Sequence, residues 1–383
     1  MAASISTDDI SIWLRDDAGG SRSPADLLTG LAERLLQAGL PLEAMTLEIT
    51  TLHPLMAGAV FTWRRSGQAA LETPRFHDPF APGPASAIEP LPFDRHGQDA
   101  AEGLPFPITT SDGGRHELTV AAARENSFTD VEADVIRAAA LGFGAPLEIL
   151  LLKQMARVLM TTYLGARTAD QVLSGAIRRG LCDSVDAVLW YSDLRGFTAC
   201  SQNLSGDAVI TLLNSHFERL AAPIKAFGGE VLKFMGDGLL AIFPIETAGS
   251  AGRACNQAIK SVRAARAGMA SLNGERQRRG ERSLEFGVAL HVGEVMYGNI
   301  GAPDRLDFTV IGPAVNLASR LEACCKALRC PVLISDAFET LSDEKLLALG
   351  SRRLPDIADP IEIFTLQEFD APASRRSAAK RQA

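Results

Sequence analysis

The stretch of sequence that decides the fold reads AVLWYSDLRGFT and covers residues 187–198. Its first five residues form an unbroken apolar run, which predicts a strand that is buried on both faces. The strand ends at Asp193, and Gly196 permits a tight turn directly beyond it. A carboxylate at the open end of a buried strand is a candidate ligand for a divalent cation.

A second aspartate occupies a similar position further along the chain. Asp237 lies in FMGDG, residues 234–238, between two apolar runs that predict strands at 230–234 and 239–243. Either aspartate alone is more often a turn residue or a helix cap. Two carboxylates brought together at strand ends, however, are what a pair of divalent ions needs to bind a triphosphate.

The elements around the two aspartates predict an α+β fold. An amphipathic helix over residues 207–227 follows the first strand, a helix over about 247–272 follows the hairpin, and strands at 284–292 and 295–300 come next. The order βαββαβ is that of the ferredoxin-like sheet, in which the first strand lies beside the hairpin. This arrangement would bring the two aspartates together.

A helix further along the chain carries an amide and a guanidinium on one face. Pro313 predicts its first turn, and Asn316 and Arg320 follow at a spacing of four, which places both on the same side. The alternative is a surface helix with a solvated arginine.

Together, the two aspartates and this helix resemble the class III nucleotidyl cyclases, which make cyclic AMP or cyclic GMP. The resemblance covers residues 185 to about 366 and implies a ferredoxin-like catalytic domain. It also implies two Mg²⁺ ions per site, with Mn²⁺ able to replace them, bound by Asp193, Asp237 and the backbone carbonyl of Leu194.

The same resemblance assigns roles to the other residues of the site. The backbone amides of the turn after the first aspartate, here Gly196, Phe197 and Thr198, would hold the terminal phosphates. Asn316 would orient the ribose, and Arg320 would stabilise the charge that develops around the α-phosphate.

Two positions bear on the choice of base. Family members that use ATP have a lysine four residues before the second metal aspartate, and Lys233 stands there. An ammonium donates to adenine N1, whereas guanine presents a donor at that atom; the hydroxyl of Thr309, the second position, can accept from the adenine amino group. The sequence therefore favours an adenylyl cyclase, a lyase that converts ATP to 3′,5′-cyclic AMP and pyrophosphate. A guanylyl cyclase is the alternative.

One segment departs from the family pattern. Family members often carry a phosphate-contacting lysine late in the catalytic domain, and residues 354–359 contain none, although Arg352 or Arg353 could take its place. A nucleotide-binding regulator with weak or no turnover is therefore a further alternative.

A diguanylate cyclase is a third alternative, since its fold is related and its hairpin also contains glycines and an acidic residue. The sequence GGE at 228–230 echoes that pattern. Lys233 and the Asn316/Arg320 helix argue against it.

The resemblance also concerns assembly. Active sites of the family lie at the interface of a head-to-tail dimer, in which one chain gives the metal ligands and the other gives the base-selecting pair and the Asn/Arg helix. This chain carries both sets, so the resemblance implies a C2 homodimer with two equivalent sites. Movement of one subunit against the other would give an N-terminal domain control over activity.

The N-terminal part predicts a smaller α+β domain. Ser23 and Pro24 begin a helix that stops at Gly39, and Thr129 with Glu132 forms a capping box for a later one. Between them we expect strands at residues 45–50 and 57–64 and a long loop at 74–107. A hairpin formed by residues 106–110 and 117–122 follows. The domain resembles a divergent GAF-type sensor, and its scattered histidines are interpreted as structural or solvated.

Two helices are predicted to connect the halves. Gly142, Gly144 and Pro146 should end the previous helix, a new helical pattern runs over 147–164, and Thr168 with Gln171 opens a short one. These helices either pair with those of a partner chain or pack on their own domains. The predicted parts are a regulatory domain at 1–146, a helical linker at 147–184, a catalytic domain at 185–368 and a basic disordered tail at 369–383.

Composition limits the class of protein. The chain has 383 residues and a formal net charge of −8, which argues against a nucleic-acid or anionic-membrane surface. Its six cysteines form no CxxC pair, and we see no signal peptide. The longest apolar stretch, residues 138–152, contains Glu148 and two glycines, so we expect no membrane span and a cytoplasmic protein.

Overall fold

A computed structural model describes most of the chain, namely residues 8–50, 56–67, 70–76, 103–111, 113–124, 127–175, 177–178, 180, 182–202 and 204–369. The chain divides into two compact units, Met1–Tyr163 and Leu164–Ala383. Residues 370–383 of the tail predicted at 369–383, and most of the loop predicted at 74–107, lie outside the described residues.

The first unit is an antiparallel sheet with helices. Its sheet has the strand order β3-β2-β1-β5-β4. Its elements in chain order are α1 (Asp8–Asp16), α2 (Pro24–Gln37), β1 (Leu42–Thr50), β2 (Met56–Arg64), β3 (Leu71–Phe76), β4 (Leu104–Thr109), β5 (Arg115–Ala122) and α3 (Asp130–Leu164), whose last residue belongs to the second unit.

The helix starts of this unit follow the predicted capping chemistry. The hydroxyl of Ser23 accepts a hydrogen bond from the amide of Asp26 at 3.1 Å, and Pro24 occupies the first turn of α2. The amide of Thr129 donates to the Glu132 carboxylate at 2.7 Å, and the amide of Glu132 donates to the Thr129 hydroxyl at 3.4 Å. Both caps confirm the sequence prediction.

The predicted break near Pro146 is wrong, because α3 continues as one helix of 35 residues with Pro146 inside it. The two glycines have another function. A Cβ at Gly144 would overlap the carbonyl oxygen of Thr109, and one at Gly142 would lie 3.0 Å from Leu14. They let the helix lie close to β4 and α1, so they are contact residues and not breakers.

Within the described residues, α3 is also the one helix long and apolar enough to cross a membrane, a property that the sequence prediction denied. Half of its most apolar window is buried inside the protein.

The second unit contains the predicted catalytic elements. In chain order they are α4 (Ala166–Leu173), β6 (Cys182–Leu194), α5 (Phe197–Ser201), α6 (Gly206–Ala226), β7 (Glu230–Met235), β8 (Gly238–Pro244), α7 (Ala251–Arg278), β9 (Phe286–Ala302), β10 (Arg305–Ile311), α8 (Pro313–Leu328), β11 (Val332–Ser335), α9 (Asp336–Glu339), β12 (Leu346–Arg352) and β13 (Ile361–Leu366).

The sheet of this unit has the order β12-β13-β11-β9-β6-β8-β7, with β10 paired to β9. Its β9-β6-β8-β7 segment is the ferredoxin-like arrangement, with the first strand beside the hairpin, and this confirms the predicted fold. The two strands expected at 284–292 and 295–300 are one continuous strand, β9, since β6 pairs with it from Cys182 to Leu194.

The core between this sheet and α6 and α7 is largely apolar, although it contains His216 of α6 and Ser261 of α7. Val188, Trp190 and Leu194 alternate along β6 and join the same buried cluster. On α6 the fully buried positions include Leu220, Ile224 and a histidine, His216. The packing fixes the second half of β6, and with it the position of Asp193.

The second predicted capping box is also wrong. Helix α4 begins at Ala166, with Gly165 at its N-cap, so Thr168 lies inside the helix. The Thr168 side chain is buried, and its hydroxyl forms a hydrogen bond of 2.8 Å with the hydroxyl of Tyr297 on β9. A threonine that looked like a cap instead attaches the helix to the sheet.

Candidate active site

The two aspartates of the sequence prediction are neighbours. Asp193 is the penultimate residue of β6, and Asp237 lies in the turn between β7 and β8, which pairs with β6. The Asp193 Oδ1 atom is 3.4 Å from where a Cβ at Gly238 would stand. Burial raises the pKa of Asp237, and the negative charge of Asp193 raises it further.

This pair fits a divalent cation by its chemistry. Two half-buried carboxylates side by side repel each other, and a cation between them removes that repulsion. Among the described residues, no group of three or more His, Cys, Asp or Glu side chains gathers around one point. The side chains therefore supply two oxygen ligands, and backbone, phosphate or water oxygens would complete the coordination.

The turn after Asp193 has the conformation that the sequence required. Gly196 has φ 68°, in the left-handed region, and Phe197 and Thr198 begin the short helix α5. Leu194 is buried, whereas Gly196 and Thr198 are exposed. The amides of this turn thus lie beside the aspartates, next to solvent.

The two base-selecting candidates lie on β7 and β10, and these strands are in contact. Lys233 forms an ion pair with Asp307, and both side chains are about half exposed. Asp307 and Thr309 are two residues apart on β10, so their side chains share one face. The sequence prediction missed Asp307, although the period of two in a strand placed it beside Thr309.

Asn316 and Arg320 both lie on the exposed side of α8, one turn apart. Arg320 forms an ion pair of 2.9 Å with Asp356, and its side chain is 48% exposed. Asp356 belongs to the segment that lacks the expected lysine. The structure therefore brings the two metal candidates together and brings Lys233 toward Thr309, while Arg320 contacts Asp356.

A buried ion pair lies next to the aspartates. Arg195, which follows Leu194, contacts Glu322 on α8 at 3.0 Å. Burial raises the pKa of Glu322 to about 7, although Arg195 opposes this, and the charges of Asp193 and Asp237 raise it further. The sequence prediction missed this ion pair. The feature that could have revealed it is an acidic residue, Glu322, on the buried stripe of α8, next to Leu321.

The glycines and the glutamate at 228–230 have structural roles. A Cβ at Gly229 would lie 2.7 Å from the Phe243 ring. The carboxylate of Glu230 accepts a hydrogen bond of 3.2 Å from the amide of Arg167, at the start of α4, and burial raises its pKa. Glu230 thus caps a helix, which removes the basis for the diguanylate cyclase alternative.

A family model described as the adenylate and guanylate cyclase catalytic domain matches residues 183–350. The match begins one residue after the start of β6 and ends within β12, so it contains both aspartates and the helix with Asn316 and Arg320.

Two curated relatives each match less than half of the chain. The terminal-differentiation specific adenylate cyclase of Dictyostelium discoideum is 35% identical over 175 residues, which are 44% of this chain and 8% of that protein. An adenylate cyclase of Anabaena cylindrica is 30% identical over 165 residues, which are 42% of this chain and 32% of that protein. The chain thus matches less than a third of each relative's length.

A solved structure resembles a larger share of the chain. A bacterial light-regulated adenylyl cyclase aligns over 73% of this chain and 90% of its own, with a TM-score of 0.51 and 19% sequence identity. This likeness concerns the fold alone.

Proposed function

Since residues 183–350 belong to the adenylate and guanylate cyclase catalytic domain family, we propose that the protein is an adenylyl cyclase. It converts ATP to 3′,5′-cyclic AMP and pyrophosphate. The site residues are those of the sequence prediction, and the first unit regulates them.

The contact between Asp193 and Asp237 carries this proposal. A buried carboxylate whose pKa is raised by a second carboxylate is unfavourable in the protein alone. It becomes favourable when a divalent cation binds, and a triphosphate substrate brings such cations with it.

The reaction requires the ribose 3′-oxygen to attack the α-phosphorus while pyrophosphate leaves on the opposite side. Two bound Mg²⁺ ions, or Mn²⁺ in their place, supply charge neutralisation and a lowered pKa of the attacking hydroxyl. Asp193, Asp237 and the Leu194 carbonyl hold them in this proposal. The protein's own contribution is positioning, since little covalent chemistry remains for side chains.

The remaining groups bind and orient the nucleotide. The amides of Gly196, Phe197 and Thr198 face the terminal phosphates. Asn316 orients the ribose, and Arg320 presents a planar guanidinium to the oxygens of the α-phosphate. Arg320 leaves Asp356 for this purpose, which is inexpensive because an exposed ion pair is worth about 1 kcal/mol or less.

Adenine is the favoured base because of Lys233. Its ammonium has three N–H donors, so it can keep its contact with Asp307 and still donate to adenine N1. Asp307 itself favours the alternative, a guanylyl cyclase, because a carboxylate accepts from the N1–H and amino donors of guanine.

A head-to-tail homodimer gives two complete sites. Asn316 and Arg320 lie on an exposed helix face, where a second chain can offer its aspartates. In this arrangement each chain supplies metal ligands to one site and the Asn/Arg pair to the other.

The test is product formation by the purified full-length protein with Mg²⁺ or Mn²⁺. We expect cyclic AMP from ATP and much less cyclic GMP from GTP. Asp193→Ala and Asp237→Ala should each lower turnover by on the order of a thousandfold, and Asp186→Ala, an exposed aspartate near the other end of β6, should not. Absence of cyclic AMP from the wild type would sink the proposal, and a preference for GTP would replace it with the guanylyl alternative.

A further inference from the structure

The buried ion pair next to the aspartates connects two functional elements. Arg195 directly follows β6, which ends in Asp193 and Leu194, and Glu322 lies on α8, two residues after Arg320. Glu322 is 5% exposed, so its carboxylate has little contact with water.

The surroundings are shaped for this contact. Gly287 of β9 pairs in register with Asp193, and a Cβ at Gly287 would overlap the Arg195 guanidinium and lie 2.6 Å from Glu322 Oε1. The amide of Arg195 also donates to the carbonyl of Glu285 at 2.6 Å. Arg195 is thus held at its backbone by Glu285, directly before β9, and at its side chain by α8.

Stability alone does not explain a buried pair of this kind. Removing two charges from water costs about as much as their attraction returns, and apolar replacements are often neutral or stabilising. Gly287, which pairs in register with Asp193, faces both side chains of the ion pair, so the pair lies beside Asp193. The carboxylate of Glu322 is a third negative group beside Asp193 and Asp237, and it makes this cluster of carboxylates less favourable still.

The Arg195 guanidinium could pair with the two metal aspartates in place of Glu322. Arg195 is two residues from Asp193, one of the two proposed metal aspartates, and its guanidinium lies against Gly287, the register partner of Asp193. Without Glu322, a guanidinium in this position would pair with those aspartates, because planar carboxylate recognition is its strongest interaction. Such a pair would occupy the oxygens that a cation needs.

We propose that Glu322 is a positioning residue that holds the Arg195 guanidinium away from Asp193 and Asp237 and so leaves both carboxylates to the metal. The inference rests on the metal-binding role in the proposed function. Gly287 belongs to the same arrangement, since it provides the space in which the two side chains meet.

The test is Mn²⁺ binding, followed by the electron paramagnetic resonance of free Mn²⁺, with 3′-deoxy-ATP as a nucleotide that cannot cyclise. We expect Glu322→Gln to weaken Mn²⁺ binding by about tenfold. The double variant Arg195→Met with Glu322→Gln should restore binding to within about threefold of the wild type, because the competing cation is gone.

Glu362→Gln, an exposed glutamate on β13, is the matched control and should bind Mn²⁺ as the wild type does. Thermal unfolding of each variant establishes that it is folded at the temperature of the binding experiment. The neutral double variant should fold, since it leaves no unpaired charge in the buried site, which is the arrangement that destabilises most.

Two results would overturn the inference: unchanged Mn²⁺ binding in the Glu322→Gln variant, or a double variant as weak as the single one. The second result is what a purely structural ion pair predicts. Wild-type cyclic AMP formation is measured separately, so either result leaves the proposed function standing if product forms.

Discussion

The two units differ in how they treat buried polar groups. In the described part of the first unit, no buried side-chain nitrogen or oxygen lacks a hydrogen-bond partner. In the described part of the second unit such atoms occur at Gln171, Trp190, Ser192, Arg195, His216 and Glu322, and burial raises the pKa of Glu322 to about 7. Buried polar groups in the described part of the first unit are hydrogen-bonded, as in an ordinary protein core. The second unit contains buried polar and charged groups whose burial is energetically unfavourable.

This difference points to a candidate active site in the second unit without reference to any relative. Perturbed ionisable groups cluster at functional sites, because chemistry requires charges that the fold alone would avoid. The raised pKa of Asp237 and the buried Glu322 lie at the same end of β6. Substitutions in the second unit should therefore change activity or acid stability, and those in the first should change packing.

The largest expected effect is a loss of catalytic activity caused by a substitution in the second unit. Arg320→Ala should lower kcat by about a hundredfold, because it removes a donor to charge that develops in the transition state. KM for ATP should change much less. The measurement is steady-state cyclic AMP formation, with Lys326→Ala, an exposed cation on the same helix, as the control. Equal losses in both variants would show that α8 merely needs positive charge.

The next effect concerns acid stability. His216 is fully buried against the rings of Phe217 and Phe286, and burial lowers its pKa from 6.5 to about 4. The unfolded chain therefore binds this proton first as pH falls, so the stability present at neutral pH is lost between about pH 6.5 and pH 4. For this one histidine the loss from pH 7 to pH 5 is about 2 kcal/mol.

His216→Leu should remove that part of the acid sensitivity. The measurement is urea unfolding at pH 7 and at pH 5, compared between variant and wild type. His291, whose pKa burial also lowers to about 4, remains and supplies residual sensitivity. The same pH dependence in both proteins would mean that His216 is not buried as the structure has it.

The last comparison concerns two glycines inside helices, one in each unit, and its smallest expected effect is that of Gly274. A Cβ at Gly144 on α3 would overlap the Thr109 carbonyl, whereas a Cβ at Gly274 on α7 would meet nothing within 4 Å. Gly144→Ala should cost about 1–3 kcal/mol through overpacking, and Gly274→Ala should stabilise by about 0.5–1 kcal/mol through helix propensity.

Thermal unfolding together with hydrogen exchange in α3 and α7 measures both changes in the full-length chain. A Gly144→Ala variant as stable as the wild type would contradict this expectation, since it would show that the first unit does not depend on the close contact between Gly144 and Thr109.

The sequence was sufficient where one physical rule acts locally. The apolar run ending in Asp193, the Gly-Asp-Gly turn and the caps at Ser23 and Thr129 each depend on neighbouring residues only. From these the strand order followed, and with it the contact between Asp193 and Asp237. The roles of these residues, and of Asn316 and Arg320, stay predictions.

The failures share a cause, which is a partner far away in the chain. Pro146 and its glycines looked like a helix end because nothing in the sequence places Thr109 beside Gly144. Thr168 looked like a cap because its true partner, Tyr297, is 129 residues away. Arg195 and Glu322 were overlooked for the same reason, since an ion pair across α8 and β6 leaves no local pattern.

The bond between Thr168 and Tyr297 has a consequence for the position of α4. Tyr297 packs edge-on against Phe308, the neighbour of Thr309, with ring centres 4.8 Å apart. A buried hydroxyl that loses its partner costs about 1–3 kcal/mol, so a displacement of α4 from β9 carries that cost. Thr168, Tyr297 and Phe308 thus form one continuous contact from α4 to the strand that holds Thr309.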